Sequence, residues 1–164
     1  MMCGIIGISS NKSVSANIIN SLKKLEYRGY DSAGVATLFD GEINEVKSEG
    51  RVDNLEQNFD LKSLKGNIGI GHVRWATHGV PNSINAHPHS SDNVSVVHNG
   101  IIENSTILKK HLINKGHTFK SQTDTEVIVH LITENLKIME LEEAITKTLK
   151  QLHGSFALGI ILKD

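Results

Sequence analysis

The sequence lacks a second cysteine and any concentration of basic residues. Cys3 is the one cysteine among 164 residues, so an internal disulfide is excluded and a reducing cytoplasm is the expected compartment. The formal net charge is −1, and no segment gathers lysine or arginine. Nucleic acids and anionic membranes would call for such a segment, so neither class of partner is expected.

Long apolar runs and prolines are also scarce. No run approaches the roughly 20 apolar residues that a membrane-spanning helix needs. The chain has two prolines against 14 glycines, a balance typical of short strands joined by tight turns. The length suits one domain with a core of its own.

The apolar pattern predicts alternating strands and helices. Val14, Ile18, Leu22 and Leu25 recur at helix spacing, and Asp40-Gly41 is a hairpin signal. Strands are predicted at 3–8, 35–39, 43–47, 67–73, 94–97 and 156–162, and helices at 105–115, 125–138 and 141–152. Because hairpins join strands here, layered helices and antiparallel sheets are favoured over a doubly wound parallel sheet.

Cys3 is a candidate nucleophile because of its place near the N-terminus. If the preceding methionines are removed, its thiol and a free α-amino group belong to one residue. An α-amine has an ordinary pKa near 8, which suits a general base at neutral pH. Nucleophile and base would then be combined in Cys3.

A nucleophile that attacks an amide needs donors for the developing oxyanion. Asn99 and Gly100 follow a predicted strand and offer a side-chain amide beside an unhindered N–H. Asn-Gly is equally typical of a type I′ turn, and the sequence alone leaves both interpretations open.

An amino-acid substrate also needs one cation and one anion. Arg74 is one of only three arginines and lies in a loop poor in charge, where it could grip a carboxylate bidentately. Asp124 could accept an ammonium group. Its position before an apolar helix equally suits an N-cap, so this role also stays open.

Six blocks of the sequence together resemble the class II glutamine amidotransferases. They are CGIIG at 3–7, LEYRGYDSAG at 25–34, HVRWATHG at 72–79, NAHPH at 85–89, HNGIIEN at 98–104 and TDTE at 123–126. The RWATHG and NAHPH blocks are more similar to the branch of glutamine–fructose-6-phosphate aminotransferases than to the amidophosphoribosyltransferases.

The resemblance implies a fold and a set of roles. The fold would be α+β, a four-layer αββα sandwich of the N-terminal-nucleophile hydrolase type with two antiparallel sheets. Cys3 would form a γ-glutamyl thioester, with no cofactor, and the ammonia would serve glucosamine 6-phosphate synthesis in the complete enzyme. The other implied roles are an oxyanion hole at Asn99 and Gly100, glutamine binding by Arg74 and Asp124, a closing loop with Thr77 and His78, an ammonia exit at Trp75, and support from Arg28 and His87.

Two departures from the family pattern shape the expectations. Met1 and Met2 both precede Cys3, so either translation starts at Met2 or the amine is blocked. The amidotransferase domain is expected to span 3–164, truncated at its C-terminus and without the sugar-phosphate isomerase domains. A separately encoded isomerase portion is then a candidate partner, and family members are homo-oligomers. An inactive relic or a partner-binding fragment, with an unpaired sheet edge and a tendency to self-associate, is the alternative.

The histidines and the glycines of the sequence also allow other interpretations. His78, His87, His89 and His98 could be metal ligands, but they meet no established spacing, and no metal is expected. A Cys–His dyad with His78 or His98 as the base is the rival mechanism within the same reaction class. The glycines of 66–71 are better explained by close sheet packing than by a phosphate loop.

Overall fold

The computed structural model describes residues 3–76 and 79–163 and contains two antiparallel sheets. The strands are β1 (Gly4–Ser9), β2 (Ser32–Phe39), β3 (Glu42–Glu49), β4 (Ile68–Arg74), β5 (His89–Ser90), β6 (Val94–Ile102) and β7 (Gly154–Leu162). The first sheet has the order β1-β4-β2-β3, and the second has the order β5-β6-β7.

Helices cover the outer face of each sheet. The first sheet carries α1 (Ser15–Leu25) and α2 (Val52–Asn58), and the second carries α3 (Ser105–Asn114), α4 (Glu126–Leu136) and α5 (Leu141–Gln151). Ile18 and Leu22 of α1 lie in one apolar cluster with Val35 and Val73 of the first sheet. Ile128 and Ile132 of α4 pack with strand residues of the second sheet in another cluster.

The strand alternation builds the layer between the two sheets. Val35 faces the helices while its neighbour Ala36 joins Ile70, Val97 and Ile161 in a separate cluster with members from both sheets. Successive strand residues point to opposite faces, so each buried strand can serve two cores at once. The layer order is therefore helix, sheet, sheet, helix, which confirms the predicted αββα sandwich.

Glycines in β4 let α1 approach the sheet closely. A Cβ at Gly69 would lie 2.5 Å from Cδ1 of Ile18, and one at Gly71 would lie 2.6 Å from Cγ2 of the same side chain. Both distances are shorter than any real contact, so the prediction that these glycines serve packing is confirmed.

Several sequence predictions of secondary structure need correction. Helix α2 and the 3₁₀ turn Glu26–Arg28 were not predicted, because each is too short for periodicity to show. The stretch between the predicted strands at 67–73 and 94–97, for which no element was predicted, contains the short strand β5. The predicted strand at 94–97 continues to Ile102 as β6, so Asn99-Gly100 is not a turn. No helix within the described residues is long and apolar enough to cross a membrane.

Candidate active site

The candidate site lies where the ends of the two sheets meet. Cys3 directly precedes β1, and Arg74 ends β4, which pairs antiparallel with β1. The second sheet contributes β6, and the segment before α4 closes the site. A cavity of about 560 Å³ results, lined by Cys3, Arg74, Trp75, His87, His98, Asn99, Gly100, Ile101, Glu103, Thr123, Asp124, Thr125, Ser155, Phe156 and Ala157.

The Cys3 thiol is held by the backbone of Trp75. The Trp75 N–H donates to Sγ over 3.3 Å, and the thiol donates to the Trp75 carbonyl oxygen over 3.6 Å. Burial raises the pKa of the thiol, and the negative charge of Asp31 adds to that rise, while the Trp75 N–H and Arg74 oppose it. The resting group is therefore a protonated thiol, which needs a base before it can attack.

Two side chains fix the backbone carbonyl of Cys3. Arg28 donates its Nε–H to this oxygen over 3.0 Å, and Asn99 donates from Nδ2 over 3.1 Å. Both sequence-predicted residues thus lie beside the nucleophile, one from each sheet's side of the site. A side-chain amide carries two N–H groups, so Asn99 can hold Cys3 and still donate to a second acceptor.

Gly100 lies inside β6, opposite Phe156 of β7. Its φ of 141° is in the region that favours glycine, and an added Cβ would lie 2.1 Å from the Ser155 carbonyl oxygen. The turn interpretation of Asn-Gly is wrong because both residues pair within the sheet. This placement presents the Asn99 amide and the Gly100 backbone side by side at the cavity wall.

Arg74 is buried, at 3% exposure, and lines the same cavity. Its guanidinium donates to the carbonyl oxygens of Gly79 and Val80, each over 3.3 Å, and lies 4.0 Å from Asp31. Burial lowers the pKa of Arg74, and the charges of Asp31, Cys3 and Asp124 oppose that change. A guanidinium stays charged in proteins, so the cavity contains a buried cation.

Asp124 is a buried anion at the same cavity, at 9% exposure. Its Oδ2 accepts a hydrogen bond of 2.8 Å from the N–H of Ile102, at the end of β6. The N-cap position of α4 falls on Thr125, so the N-cap interpretation of Asp124 is wrong. The carboxylate instead joins the helix start to the second sheet.

Thr125 connects two buried histidines at the cavity wall. Its hydroxyl lies 2.7 Å from Nε2 of His87 and 2.9 Å from Nδ1 of His98. Nε2 of His72 lies 3.0 Å from the His98 carbonyl oxygen and therefore carries a hydrogen, since a carbonyl can only accept. His72 also stacks on His87 with ring centroids 4.1 Å apart. His87, predicted as a supporting residue, is the centre of this cluster.

The clustered histidines are uncharged. Burial lowers the pKa of His72 and of His89 to about 3, and it lowers that of His87 well below the ordinary value. Burial also lowers the pKa of His98, although the nearby charge of Asp124 opposes the change. Four neutral rings allow close packing that charged imidazoles would prevent.

The two alternatives named above, a histidine metal site and a Cys–His dyad, find no support in the described geometry. Within residues 3–76 and 79–163, no group of three or more His, Cys, Asp or Glu side chains is arranged to hold a metal ion. In the same part of the chain, the hydrogen bonds of the Cys3 Sγ go to Trp75, and Nδ1 of His98 is bonded to Thr125. Thr77 and His78 lie outside the described residues, as do Met1 and Met2.

Trp75 lines the cavity beside the thiol and meets Tyr30 edge to face, with ring centroids 5.7 Å apart. The tryptophan is therefore positioned by a residue from the LEYRGYDSAG block at 25–34.

Sequence reasoning assigned no role to Asp31 or to β7. The Asp31 carboxylate accepts from the Ala76 N–H and from the Ser32 hydroxyl, and it faces Arg74. A lone acid in the glycine-punctuated run 28–34 was the available signal. Ser155, Phe156 and Ala157 line the cavity because β7 pairs with β6, and no local pattern could predict that pairing.

Comparison with known proteins is consistent with this geometry. A family described as a glutamine amidotransferase domain matches residues 72–164. The glutamine–fructose-6-phosphate aminotransferase (isomerizing) of Mesorhizobium japonicum is 54% identical over 163 residues, and that of Pyrococcus horikoshii is 52% identical over 166 residues. Each alignment covers 99% of this chain, which spans only 27% and 28% of the length of those relatives.

Solved structures show the same architecture. Glutamine phosphoribosylpyrophosphate amidotransferase from B. subtilis superposes with a TM-score of 0.85 at 32% identity, covering 99% of this chain and 35% of that one. A glutamine aminotransferase class-II domain protein from Silicibacter pomeroyi has a TM-score of 0.64 at 15% identity, covering 98% of this chain and 72% of that one. The second likeness concerns the fold alone.

Proposed function

Because the chain belongs to the class II glutamine amidotransferases, we propose that it hydrolyses the side-chain amide of glutamine with Cys3 as the nucleophile. The observation that carries this proposal is the composition of one cavity. A thiol, a side-chain amide donor, a buried cation and a buried anion all line it, in Cys3, Asn99, Arg74 and Asp124. Glutamine offers the complementary groups, which are an amide carbon, a carboxylate and an ammonium.

In the proposed reaction, Sγ of Cys3 attacks the amide carbon of glutamine. The carbonyl oxygen becomes an oxyanion that accepts hydrogen bonds from Nδ2 of Asn99 and from the Gly100 N–H. The α-amine of Cys3 takes the thiol proton and passes it to the amide nitrogen, which leaves as ammonia. Water then cleaves the γ-glutamyl thioester, which releases glutamate and restores the thiol.

The α-amine of Cys3 is available as a base only in a chain whose first residue is Cys3. Such an N-terminus is therefore part of the proposal. The raised pKa of the thiol supports the need for a base, because little thiolate is present at neutral pH. Arg28 assists by holding the Cys3 carbonyl, which helps to fix the residue that carries both the thiol and the α-amine.

Recognition of the amino-acid head falls to the two buried charges. Arg74, at the end of β4, would bind the carboxylate. Asp124, bonded to the end of β6, would bind the ammonium. A buried pair of opposite charges favours a substrate that carries both a carboxylate and an ammonium over an amide that lacks either group. Thr77 and His78 are proposed to close over the bound glutamine, and Trp75 is proposed to guard the exit of ammonia.

The use of the ammonia is a separate part of the proposal. The relatives named above are glutamine–fructose-6-phosphate aminotransferases, and this chain matches about a quarter of their length. We propose that ammonia from this domain aminates fructose 6-phosphate on a sugar-isomerase portion, in a homo-oligomer. Supplying ammonia to amidophosphoribosyl transfer is the second candidate, supported by the likeness to the B. subtilis enzyme.

The test is a glutamate-release assay on protein whose N-terminus has been defined by intact mass. Chains that start at Cys3 should release glutamate, and Cys3→Ala should abolish the release. Chains that keep Met1 and Met2 should be slower by at least about a hundredfold, because the general base is blocked. If chains that start at Cys3 release no glutamate, the proposal is wrong, and a partner-binding role becomes the better account.

A further inference from the structure

Glu126 holds the segment that carries Asp124. Its carboxylate accepts from the N–H of Lys120 over 2.8 Å, and from the N–H and the hydroxyl of Ser121 over 2.7 Å each. The residue is 7% exposed and opens α4, from where its side chain turns back onto segment 120–124. One carboxylate thus fixes the backbone five and six residues before it.

The charge of Glu126 is maintained by the same contacts. Burial alone would raise its pKa, but His130, at 3.6 Å, and the donors of Lys120 and Ser121 lower the pKa to about 2. His130 has a polar neighbour of its own, since its Nδ1 lies 3.0 Å from Nδ1 of His117. Nε2 of His117 in turn lies 2.8 Å from Glu134. The carboxylate therefore stays ionised throughout the range in which an enzyme would be assayed.

Segment 120–124 in turn reaches both proposed contacts of the amino-acid head. It ends in Asp124 directly. Through Gln122, whose Oε1 accepts from the Val80 N–H over 3.3 Å, it also meets the loop that holds Arg74. The Arg74 guanidinium donates to the carbonyl oxygen of that same Val80.

Asn85 locks these two segments together. It accepts from the Gln122 N–H over 2.9 Å, and its Nδ2 donates to Oε1 of Gln122 over 3.2 Å and to the Val80 carbonyl oxygen over 2.9 Å. A shift of segment 120–124 would therefore displace the surroundings of Asp124 and of Arg74 together. The contacts of the Cys3 thiol come from Trp75 instead and do not pass through this segment.

We infer that Glu126 is a positioning residue for recognition of the amino-acid head of the substrate. It sets the spacing between Asp124 and Arg74 without touching the substrate and without affecting the nucleophile. This inference rests on the proposed function, because it takes glutamine as the ligand of those two charges. Removing one acceptor oxygen should weaken head-group binding and leave thiol chemistry intact.

The test compares two reagents for Cys3 in the otherwise full-length chain whose first residue is Cys3. A glutamine analogue with a diazoketone in place of the amide needs the head-group contacts, whereas iodoacetamide needs only the thiol. Glu126→Gln keeps the shape of the side chain but loses one acceptor. It should lower the analogue's labelling rate by about tenfold or more and raise the KM for glutamine to match, with kcat within about twofold. The rate with iodoacetamide should also stay within about twofold.

Glu56→Gln is the matched control, because Glu56 lies on α2 and pairs with Lys23 rather than with segment 120–124. It should leave both labelling rates and the KM unchanged. Should Glu126→Gln not fold, Ser121→Ala removes one of the three contacts and should raise KM by a factor of about 2 to 5.

Three results separate the possible failures. An unchanged KM in a folded Glu126→Gln, or in Ser121→Ala where the first variant does not fold, would overturn the inference. Equal losses with the analogue and with iodoacetamide would also overturn it, since Glu126 would then support the site only in general. A wild-type chain that starts at Cys3, neither reacts with the analogue nor releases glutamate, and still reacts with iodoacetamide would overturn the proposed function itself.

Discussion

The two halves of the candidate site have similar tasks but are held by different kinds of contact. The first-sheet half, formed by Cys3, Arg28, Arg74 and Trp75, is fixed mostly by backbone atoms at strand ends. The second-sheet half includes Asn99, Gly100 and Asp124, and it is backed by Thr125 and buried neutral histidines. In our proposal the first half supplies Cys3 and the second half supplies Asn99 and Gly100 for the chemistry, and each half supplies one charged group for the recognition of glutamine.

This difference indicates how each half should respond to change. Contacts made by backbone atoms survive most single substitutions, so the first-sheet half should be disturbed mainly by added bulk. The second-sheet half depends on a connected set of buried polar side chains, each of which is costly to leave unpaired. The effect of a substitution should therefore depend on the half in which the residue lies and on its proposed task, chemistry or recognition.

Asn99→Ala should produce the largest change in turnover, because an oxyanion donor acts mainly in the transition state. We expect kcat for glutamate release to fall about 100- to 1,000-fold, with KM within a few-fold. Steady-state kinetics measure this directly. Asn44→Ala, at an exposed site on β3, is the matched control and should have no effect. If kcat fell by less than tenfold, the assignment of Asn99 to the oxyanion hole would be wrong.

Arg74→Ala should act on binding instead. Loss of a bidentate, charge-assisted contact with the substrate carboxylate should raise KM for glutamine by about a hundredfold and change kcat much less. Arg51→Ala is the control, because the Arg51 side chain is 65% exposed and pairs with Glu26. If Arg74→Ala and Asn99→Ala changed kcat and KM in the same proportion, the division of tasks would be wrong.

Thr125→Val tests how the second-sheet half is held. The substitution keeps the shape but leaves ring nitrogens of His87 and His98 without their hydroxyl partner, so unfolding should become easier by about 2–3 kcal/mol. Chemical denaturation measures the change. Thr125→Ser retains the hydroxyl and should recover most of the stability, and a Thr125→Val protein as stable as wild type would contradict the account.

Gly29→Ala tests the first-sheet half with added bulk. A Cβ at Gly29 would lie 2.5 Å from the backbone of Arg74, so overpacking should cost about 1–2 kcal/mol and displace that strand end. Denaturation and KM should both show the change. Gly7→Ala is the control in β1, where the Cβ would make an ordinary contact at 3.9 Å with Ile70. Equal stability of the two variants would show that the close approach does not matter.

The smallest effect concerns pH, on which the two halves agree in part, since burial favours the uncharged thiol of Cys3 in one and the uncharged histidines in the other. Burial raises the pKa of the Cys3 thiol, so the thiolate fraction of the folded chain lags behind that of the unfolded chain as pH rises. Alkylation of folded protein by iodoacetamide should thus be a few-fold slower near pH 8 than in denaturant, and it should still climb above pH 9. A folded-state profile that levels off at lower pH than the denatured one would contradict the raised pKa.

The sequence predicted the first-sheet half better than the second. Cys3 and Arg74 could be identified from the chain itself, whereas Arg28 and Trp75 were identified through blocks that resemble the family. Hairpin signals and apolar periodicity are local and predicted layered helices with antiparallel sheets, and the resemblance implied the αββα order.

The support of the second-sheet half could not be predicted in this way. His72, His87, His98 and Thr125 come from four separate segments, and only the packing of the two sheets brings them together. Asn99-Gly100 and Asp124 had plausible local roles, a turn and a helix cap, which the sheet pairing overrides. Helix α2 was missed because seven residues show too little periodicity.

The most direct test of the account is to trap the covalent intermediate. Protein whose first residue is Cys3 is mixed with glutamine, quenched in acid within the first turnover and digested, and the peptides are analysed by mass spectrometry. Our account predicts a γ-glutamyl group on the peptide that contains Cys3, and no such group in Cys3→Ala. Glutamate release by Cys3→Ala at the wild-type rate, or a γ-glutamyl group on another residue, would contradict it.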